Sequence, residues 1–123
     1  MANPNIVNVT SIYGNTTYLI PTGTTATTWT ALTPAASTIN KIDNIVACNV
    51  TSSAATITVS INSAISGGGT AYRIAYQISV PPNASVILVD KTSAFYLGEA
   101  QSIVATSGTT SAIVLTASYE GIT

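Results

Sequence analysis

The sequence predicts an all-β protein, a single antiparallel β-sandwich of jelly-roll-like form. Three observations lead to this class. Apolar and polar residues alternate with a period of two in nearly every informative window, which is typical of half-buried strands. These windows are separated by clusters of glycine, proline, asparagine and serine that favour turns. No ten-residue stretch carries an apolar stripe at helical spacing with a capping residue at its start.

The two clearest strands cover residues 70–80 and 55–62. In the first, every second residue is large and apolar or aromatic, so we expect that face, with Tyr72 and Tyr76, to pack in the core or against a sheet. Residues 55–62 repeat the alternation with Ile57, Val59 and Ile61. Weaker alternation predicts further strands at residues 6–13, 16–20, 25–32, 39–50, 84–89, 94–97, 102–106 and 112–119.

Two segments are less regular. Residues 1–13 lack a clean core-facing pattern, and we expect an N-terminal arm or an edge strand there. Residues 22–37 have the lowest complexity, and they are either a strand pair around Trp29 or a surface loop whose Trp29 makes a contact. With no charge run or proline-rich linker in the chain, residues 1–123 are expected to form one domain.

The low charge is the most unusual property of the composition. Three basic and four acidic residues give a net charge of −1, whereas 21 Thr and 14 Ser are present. A typical domain is about 25% charged. The charges fall mainly at predicted turns and strand ends, Arg73 excepted, so we expect nearly neutral sheet faces suited to association. Three scattered cations cannot neutralise a phosphate backbone, which argues against nucleic-acid binding.

The residue inventory also argues against catalysis and metal binding. Histidine is absent, and the four carboxylates, Asp43, Asp90, Glu99 and Glu120, form no obvious pair in the sequence. The glycines at 67–69 are not followed by the Lys-Ser/Thr of a phosphate-binding loop. The single cysteine, Cys48, has apolar neighbours and is predicted to be a buried thiol. We therefore expect no enzyme activity, catalytic residue, cofactor or metal site.

From the sequence we expect neither a membrane-spanning segment nor an export signal. No window approaches 18 consecutive apolar residues, and the first residues have neither a basic nor an apolar region. The hydroxyl-rich composition is nevertheless typical of proteins that face an outside environment. Assembly in a host cytoplasm followed by release on lysis satisfies both observations.

Several segments resemble a known class of proteins. The opening residues 1–16 (MANPNIVNVTSIYGNT), with AYRIA at 71–75, ISVP at 78–81, FYLGEAQSI at 95–103 and ASYE at 117–120, are similar to small virion structural proteins of tailed bacteriophages, particularly those of aquatic and cyanobacterial hosts. The segment at 97–103 also resembles a corner of trimeric jelly-roll proteins, with Ala100 and Gln101 in place of the usual Gly-Asp. The resemblance implies a capsid decoration (cement), neck, tail or fibre protein.

The resulting hypothesis is a non-enzymatic virion protein that decorates the capsid and bridges its subunits. Its expected partners are copies of itself, as a homotrimer, and the major capsid protein or other virion proteins. A neck, tail or fibre-associated role and a carbohydrate- or receptor-binding module using tyrosines and Trp29 are the alternatives. The candidate interface residues are Ile6, Val7, Val9, Ile12, Tyr13 and Trp29.

Overall fold

The computed structural model describes residues 8–123, which fold into nine strands and two short 3₁₀ turns with no α-helix. The expectation of an all-β antiparallel sandwich is confirmed. Within the described residues, no helix is long and apolar enough to cross a membrane. The strands are β1 (Ile12–Leu19), β2 (Thr27–Thr28), β3 (Ile39–Asn49), β4 (Ala55–Asn62), β5 (Ala71–Val80), β6 (Ser85–Val89), β7 (Phe95–Leu97), β8 (Ser102–Ser107) and β9 (Ile113–Ile122), and the 3₁₀ turns are Thr30–Leu32 and Ile65–Gly67.

The strands form two antiparallel sheets. Sheet A has the order β1-β9-β3-β6, and the short β7 also pairs with β3, next to β6. Sheet B has the order β2-β8-β4-β5. The pairing is nested, because β4 pairs with β5, β3 with β6, β2 with β8 and β1 with β9. As a result, the edge strands include β1 in sheet A and β5 in sheet B.

The core lies between the two sheets and is built from alternate residues of the central strands. Ile42, Ile45 and Ala47 of β3 are fully buried, as are Ile57 and Val59 of β4. Strand β9 adds Ile113, Leu115 and Ala117, and β8 adds Ile103 and Ala105. Each fully buried isoleucine, leucine or valine side chain contributes about 1.5–3 kcal/mol through the hydrophobic effect. The period-two pattern of the sequence therefore reflects real burial in the central strands.

Most predicted strands are present, but their ends differ. Residues 55–62 form β4 with the predicted bounds. In the described part of the chain, the strands expected at 6–13 and 16–20 are one strand, β1, because Gly14 and Asn15 pair with Glu120 and Tyr119 and the ladder continues through them. The segment at 25–32 is reduced to the two residues of β2 and a 3₁₀ turn.

The prediction that Tyr72 and Tyr76 are packed is wrong. Their side chains are 62% and 56% exposed, and the buried residues of β5 are Ala75 and Val80. The register between β4 and β5 shifts on both sides of Val59, so that β5 contains extra residues and its alternation does not match that of β4. Because β5 is also an edge strand, its large side chains have no neighbouring strand to cover them.

The buried thiol expected at Cys48 is also not observed. Cys48 is half-buried, whereas its neighbours Ala47 and Asn49 are buried. In a strand, successive side chains point to opposite faces, and β3 turns Ala47 towards the core. Cys48 therefore belongs to the outer face of sheet A.

Candidate interaction surfaces

The first surface is a groove that collects five of the seven charged residues of the chain. Lys41 and Asp43 come from β3, Glu120 comes from β9, and Asp90 and Lys91 follow β6. The volume of this depression is about 530 Å³. We call it the charged groove; it is lined by Lys41, Asp43, Asn44, Val46, Ile87, Asp90, Lys91, Ala94 and Glu120.

Long-range strand pairing brings these residues together. Lys41 lies directly opposite Glu120 across the β3–β9 ladder, and Val46 lies opposite Ile87 across the β3–β6 ladder. The β3–β9 register shifts between Ile42 and Asn44, leaving Asp43 as the extra residue. Charges separated by up to 79 positions (from 41 to 120) thus meet on one face. The expectation that charges lie away from the strand faces is wrong for sheet A, since Lys41 and Asp43 lie within β3 and Glu120 lies within β9. The local sequence does not show which strands pair, so it could not show that these charges lie together.

Only weak ion pairing is present in the groove. Lys41 Nζ lies 3.9 Å from Asp43 Oδ1, and both side chains are more than a third exposed, so the pair contributes little to stability. It is the one salt bridge within 4.0 Å among residues 8–123. Lys91 and Glu120 consequently face the groove without an intramolecular ion-pair partner within that distance.

Asp90 is occupied by its own turn. Its Oδ1 atom accepts hydrogen bonds from the hydroxyl and backbone N–H of Thr92, at 2.6 and 3.0 Å, and from the backbone N–H and hydroxyl of Ser93, at 3.1 and 3.2 Å. Hydrogen bonds from the Thr92 hydroxyl and backbone, supported by those from Ser93, lower the pKa of Asp90 and outweigh the opposing effect of burial. This carboxylate therefore orders the β6–β7 connection.

The second surface consists of large apolar side chains on the edge strands. On β1, Ile12, Tyr13 and Tyr18 are 54%, 65% and 76% exposed. On β5, Tyr72, Tyr76 and Ile78 are exposed, and the Arg73 guanidinium carbon lies 4.6 Å from the centre of the Tyr76 ring. Such a cation–π contact orients the Arg73 side chain beside the aromatic ring. We call residues 72–78 of this strand the β5 edge.

A third feature is a neutral cleft beside β1. Its volume is about 290 Å³, and Tyr13 and Tyr119 are among the residues that line it. Its other lining residues carry only neutral side chains: Asn15, Ala31, Thr33, Ala35, Thr38, Asn40, Gly121 and Thr123. The Asn40 amide is fixed by donating to the Leu32 carbonyl at 2.9 Å. This lining combines tyrosine, hydroxyl and amide side chains, and none of these side chains is charged.

The candidate interface residues have different positions in the structure. Ile12 and Tyr13 lie on β1 and are exposed, and Val9 is half-buried. Ile6 and Val7 lie outside the described residues. Trp29 is 1% exposed and belongs to the core, so its expected role in a surface contact is wrong. Its backbone N–H donates to the Ile103 carbonyl at 2.7 Å, which holds this part of the chain beside β8.

Sequence reasoning missed the charged groove and the β5 edge. The groove had no local signal, since its residues come from three distant segments. The β5 edge had a misleading signal, since its alternation resembles that of a covered strand. Among residues 8–123, no group of three histidine, cysteine, aspartate or glutamate side chains is arranged to hold a metal ion.

No protein-family model matches the chain, and no curated protein is significantly similar to it.

Proposed function

We propose that this protein is a non-enzymatic structural protein of a tailed-phage virion, assembled in the host cytoplasm, and that it decorates the capsid and bridges its subunits. The observation that carries the proposal is the exposure of large apolar side chains along the edge strands β1 and β5 of a sandwich with only seven charges. Exposed edges without lysine are prone to pair with another chain. In a decoration protein, neighbouring subunits cover them.

The nested strand pairing supports a jelly-roll form for the sandwich. Sheet A combines the first, last, third and sixth strands, and sheet B combines the second, eighth, fourth and fifth. A chain folded double on itself and wrapped into two sheets has this order, with the extra strand β7 as a short addition to sheet A. Jelly rolls are frequent in viral capsid and lectin domains, which agrees with both the main proposal and its carbohydrate-binding alternative.

The mechanism of the proposed function is an increase in buried interface. A subunit that contacts two capsid proteins at once stabilises the assembled shell, because it binds that state and not the separated one. Low charge makes such contacts less sensitive to ionic strength. The side chains offered for this contact are exposed, among them Ile12, Tyr13 and Tyr18 of β1.

Quantitative mass spectrometry of intact virions, with heads separated from tails, tests the proposal. We expect the protein in the head fraction at a copy number comparable with that of the major capsid protein. A low copy number confined to the neck or tail fraction would support the alternative of a neck, tail or fibre-associated protein. Absence from purified virions would exclude both.

Point variants on β1 sharpen this test. Ile12→Ser and Tyr13→Ser should lower occupancy on the particle with little effect on folding, since both side chains are exposed. Deleting residues 1–13 is a poorer test, because it also removes the backbone hydrogen bonds that join Ser11 to Thr123. Thr116→Ser, at an exposed position in the same sheet, is the control. If both β1 variants still occupy the particle fully, β1 is not part of the interface with the capsid.

The neutral cleft favours carbohydrate binding as a second candidate function. Two tyrosine rings can stack on sugar faces, and the Asn and Thr side chains offer hydrogen bonds without attracting ions. A glycan array with the purified chain, compared with Tyr119→Ala and with Tyr96→Ala outside the cleft, tests it. Binding lost only in the first variant supports this function, whereas no binding to any neutral glycan contradicts it.

A further inference from the structure

We propose that the β5 edge of one copy binds in the charged groove of a second copy, with Arg73 placed against Glu120. This inference rests on the proposed function, which includes a homo-oligomer. It deepens that proposal by naming the two surfaces through which the copies contact each other. The occupant of the groove is thus another molecule of the same chain.

The distribution of charge identifies Arg73 as the complement of the groove. Five of the seven charges line the groove, and Glu99 is buried, with its Oε2 atom accepting from the Ser37 N–H at 2.7 Å. Among residues 8–123, Arg73 is therefore the one exposed charged side chain outside the groove. In the groove, three carboxylates face two lysines, so one more cation balances it.

Glu120 is the carboxylate best placed to receive that cation. Asp90 Oδ1 already accepts four hydrogen bonds from its own turn, and Asp43 lies 3.9 Å from Lys41. Within the described residues, no cationic atom lies within 4.0 Å of the Glu120 carboxylate. A guanidinium can donate two parallel hydrogen bonds to a carboxylate, which gives the contact both strength and a defined orientation.

The apolar parts of the two surfaces are complementary as well. Tyr72, Tyr76 and Ile78 are exposed beside Arg73 on the β5 edge. The groove offers Val46, Ala94 and the exposed Ile87 as apolar lining. Tyrosine and arginine side chains buried near the centre of an interface commonly contribute most of its binding energy.

The proposed contact is head-to-tail, because the two surfaces belong to different sheets. A two-fold dimer would place one patch against itself, whereas contacts between two different patches close into rings or extend into filaments. The homotrimer expected from the sequence is such a ring. Each subunit in it would cover one β5 edge and fill one charged groove.

Sedimentation velocity of the purified full chain and its charge variants tests the contact. Arg73→Glu and Glu120→Arg should each weaken self-association by about thirtyfold or more, because each leaves like charges facing one another. The double variant, Arg73→Glu with Glu120→Arg, should recover association to within about tenfold of the parent. The double variant Thr22→Glu/Thr24→Glu changes the net charge as much as Arg73→Glu does, at exposed positions away from both surfaces, and should associate like the parent.

Photocrosslinking gives a second measurement that does not depend on these substitutions. A benzophenone side chain at position 76 should crosslink to residues 87–94 of another copy, and circular dichroism should report the folded sandwich. A parent chain that stays monomeric, a double variant no better than the single ones, or crosslinks only from β5 to β5 would each overturn the inference. None of these results depends on finding the protein in a virion. The proposed function is tested separately, by mass spectrometry of purified virions, so the two proposals can fail independently.

Discussion

At the scale of single residues, Asp90 combines a structural role with a pH dependence. Its carboxylate holds the β6–β7 turn, and the bonds from Thr92 and Ser93 lower its pKa below the ordinary value of 3.8. A carboxylate with a depressed pKa in the folded state stabilises the fold above its unfolded pKa. That contribution is lost as the pH falls through the folded value.

Asp90→Asn is therefore expected to lower the melting temperature at neutral pH and to have no effect in strong acid. The amide keeps an acceptor oxygen but not the charge that strengthens the four hydrogen bonds. Thermal unfolding of the parent and the variant from about pH 7 to about pH 2 measures this difference. Asp43→Asn, in the same groove but outside the turn, is the control, and an equal pH-dependent loss in both variants would contradict the assignment.

Trp29 gives a second prediction at this scale. Because the side chain is buried in the core, Trp29→Ala should lower the free energy of unfolding by about 3–5 kcal/mol. Trp29→Phe should cost less, since the indole Nε1–H has no hydrogen-bond partner among residues 8–123 and its removal leaves no acceptor there unsatisfied. Urea denaturation followed by circular dichroism measures the free energy of unfolding of the parent and of both variants. Tryptophan fluorescence gives a second measurement for the parent, whose single Trp is Trp29. A near-neutral Trp29→Ala would show that Trp29 does not serve the core.

The positions of Trp29 and of the groove residues show where sequence reasoning reaches its limit. Alternation located β4 and β3 because central strands bury one face along their whole length. It could not assign Trp29, because Trp29 lies between a two-residue strand and a 3₁₀ turn, where no period exists. It could not assemble the charged groove either, because Lys41 and Glu120 become neighbours only through the β3–β9 register.

At the scale of elements, strand β5 is shaped by its irregular pairing with β4. Gln77 has a φ of 48°, in the left-handed region, next to the register shift at Ile57 and Val59. Its backbone N–H donates to the Thr58 hydroxyl at 3.0 Å, which holds the irregular backbone in place. This shift leaves Tyr76 exposed next to Arg73, so the local geometry of β5 forms the surface that the second copy is proposed to bind.

Gln77→Gly is expected to raise the free energy of unfolding by about 0.5–1 kcal/mol, because glycine adopts a positive φ without the steric cost of a Cβ atom. The hydrogen bond from position 77 to Thr58 uses the backbone and is retained. Ser79→Gly, on the same strand and outside the positive-φ residues, is the matched control and should be destabilising by about 0.5–1 kcal/mol. The same sign of change for both variants in urea denaturation would show that Gln77 carries no backbone strain.

At the scale of the whole molecule, nested pairing makes the fold depend on the last residues of the chain. Strand β9 lies between β1 and β3 in sheet A, and it pairs with both along most of its length. Sheet A therefore cannot close until residues 113–122 have been made. The two ends of this pairing are adjacent in space, since the Thr10 N–H donates to the Thr123 carbonyl at 2.6 Å and the Thr123 N–H donates to the Ser11 carbonyl at 3.0 Å.

A circular permutant tests this dependence directly. Thr123 is joined to Asn8 by a short glycine-rich linker, and the chain is opened between Thr24 and Thr25, both of which are exposed. In this variant β9 and β1 become a hairpin, so their contact changes from the most distant in sequence to a local one. Because folding rates rise as contacts become more local, we expect the permutant to refold faster than the parent into the same sandwich. Stopped-flow refolding with circular dichroism measures the rate. A permutant that refolds no faster would mean that bringing β9 against β1 does not limit the rate of folding.

A parent chain ending at Ala112, which lacks β9, should show no cooperative unfolding. Cooperative unfolding of this truncated chain would mean that the fold does not depend on β9.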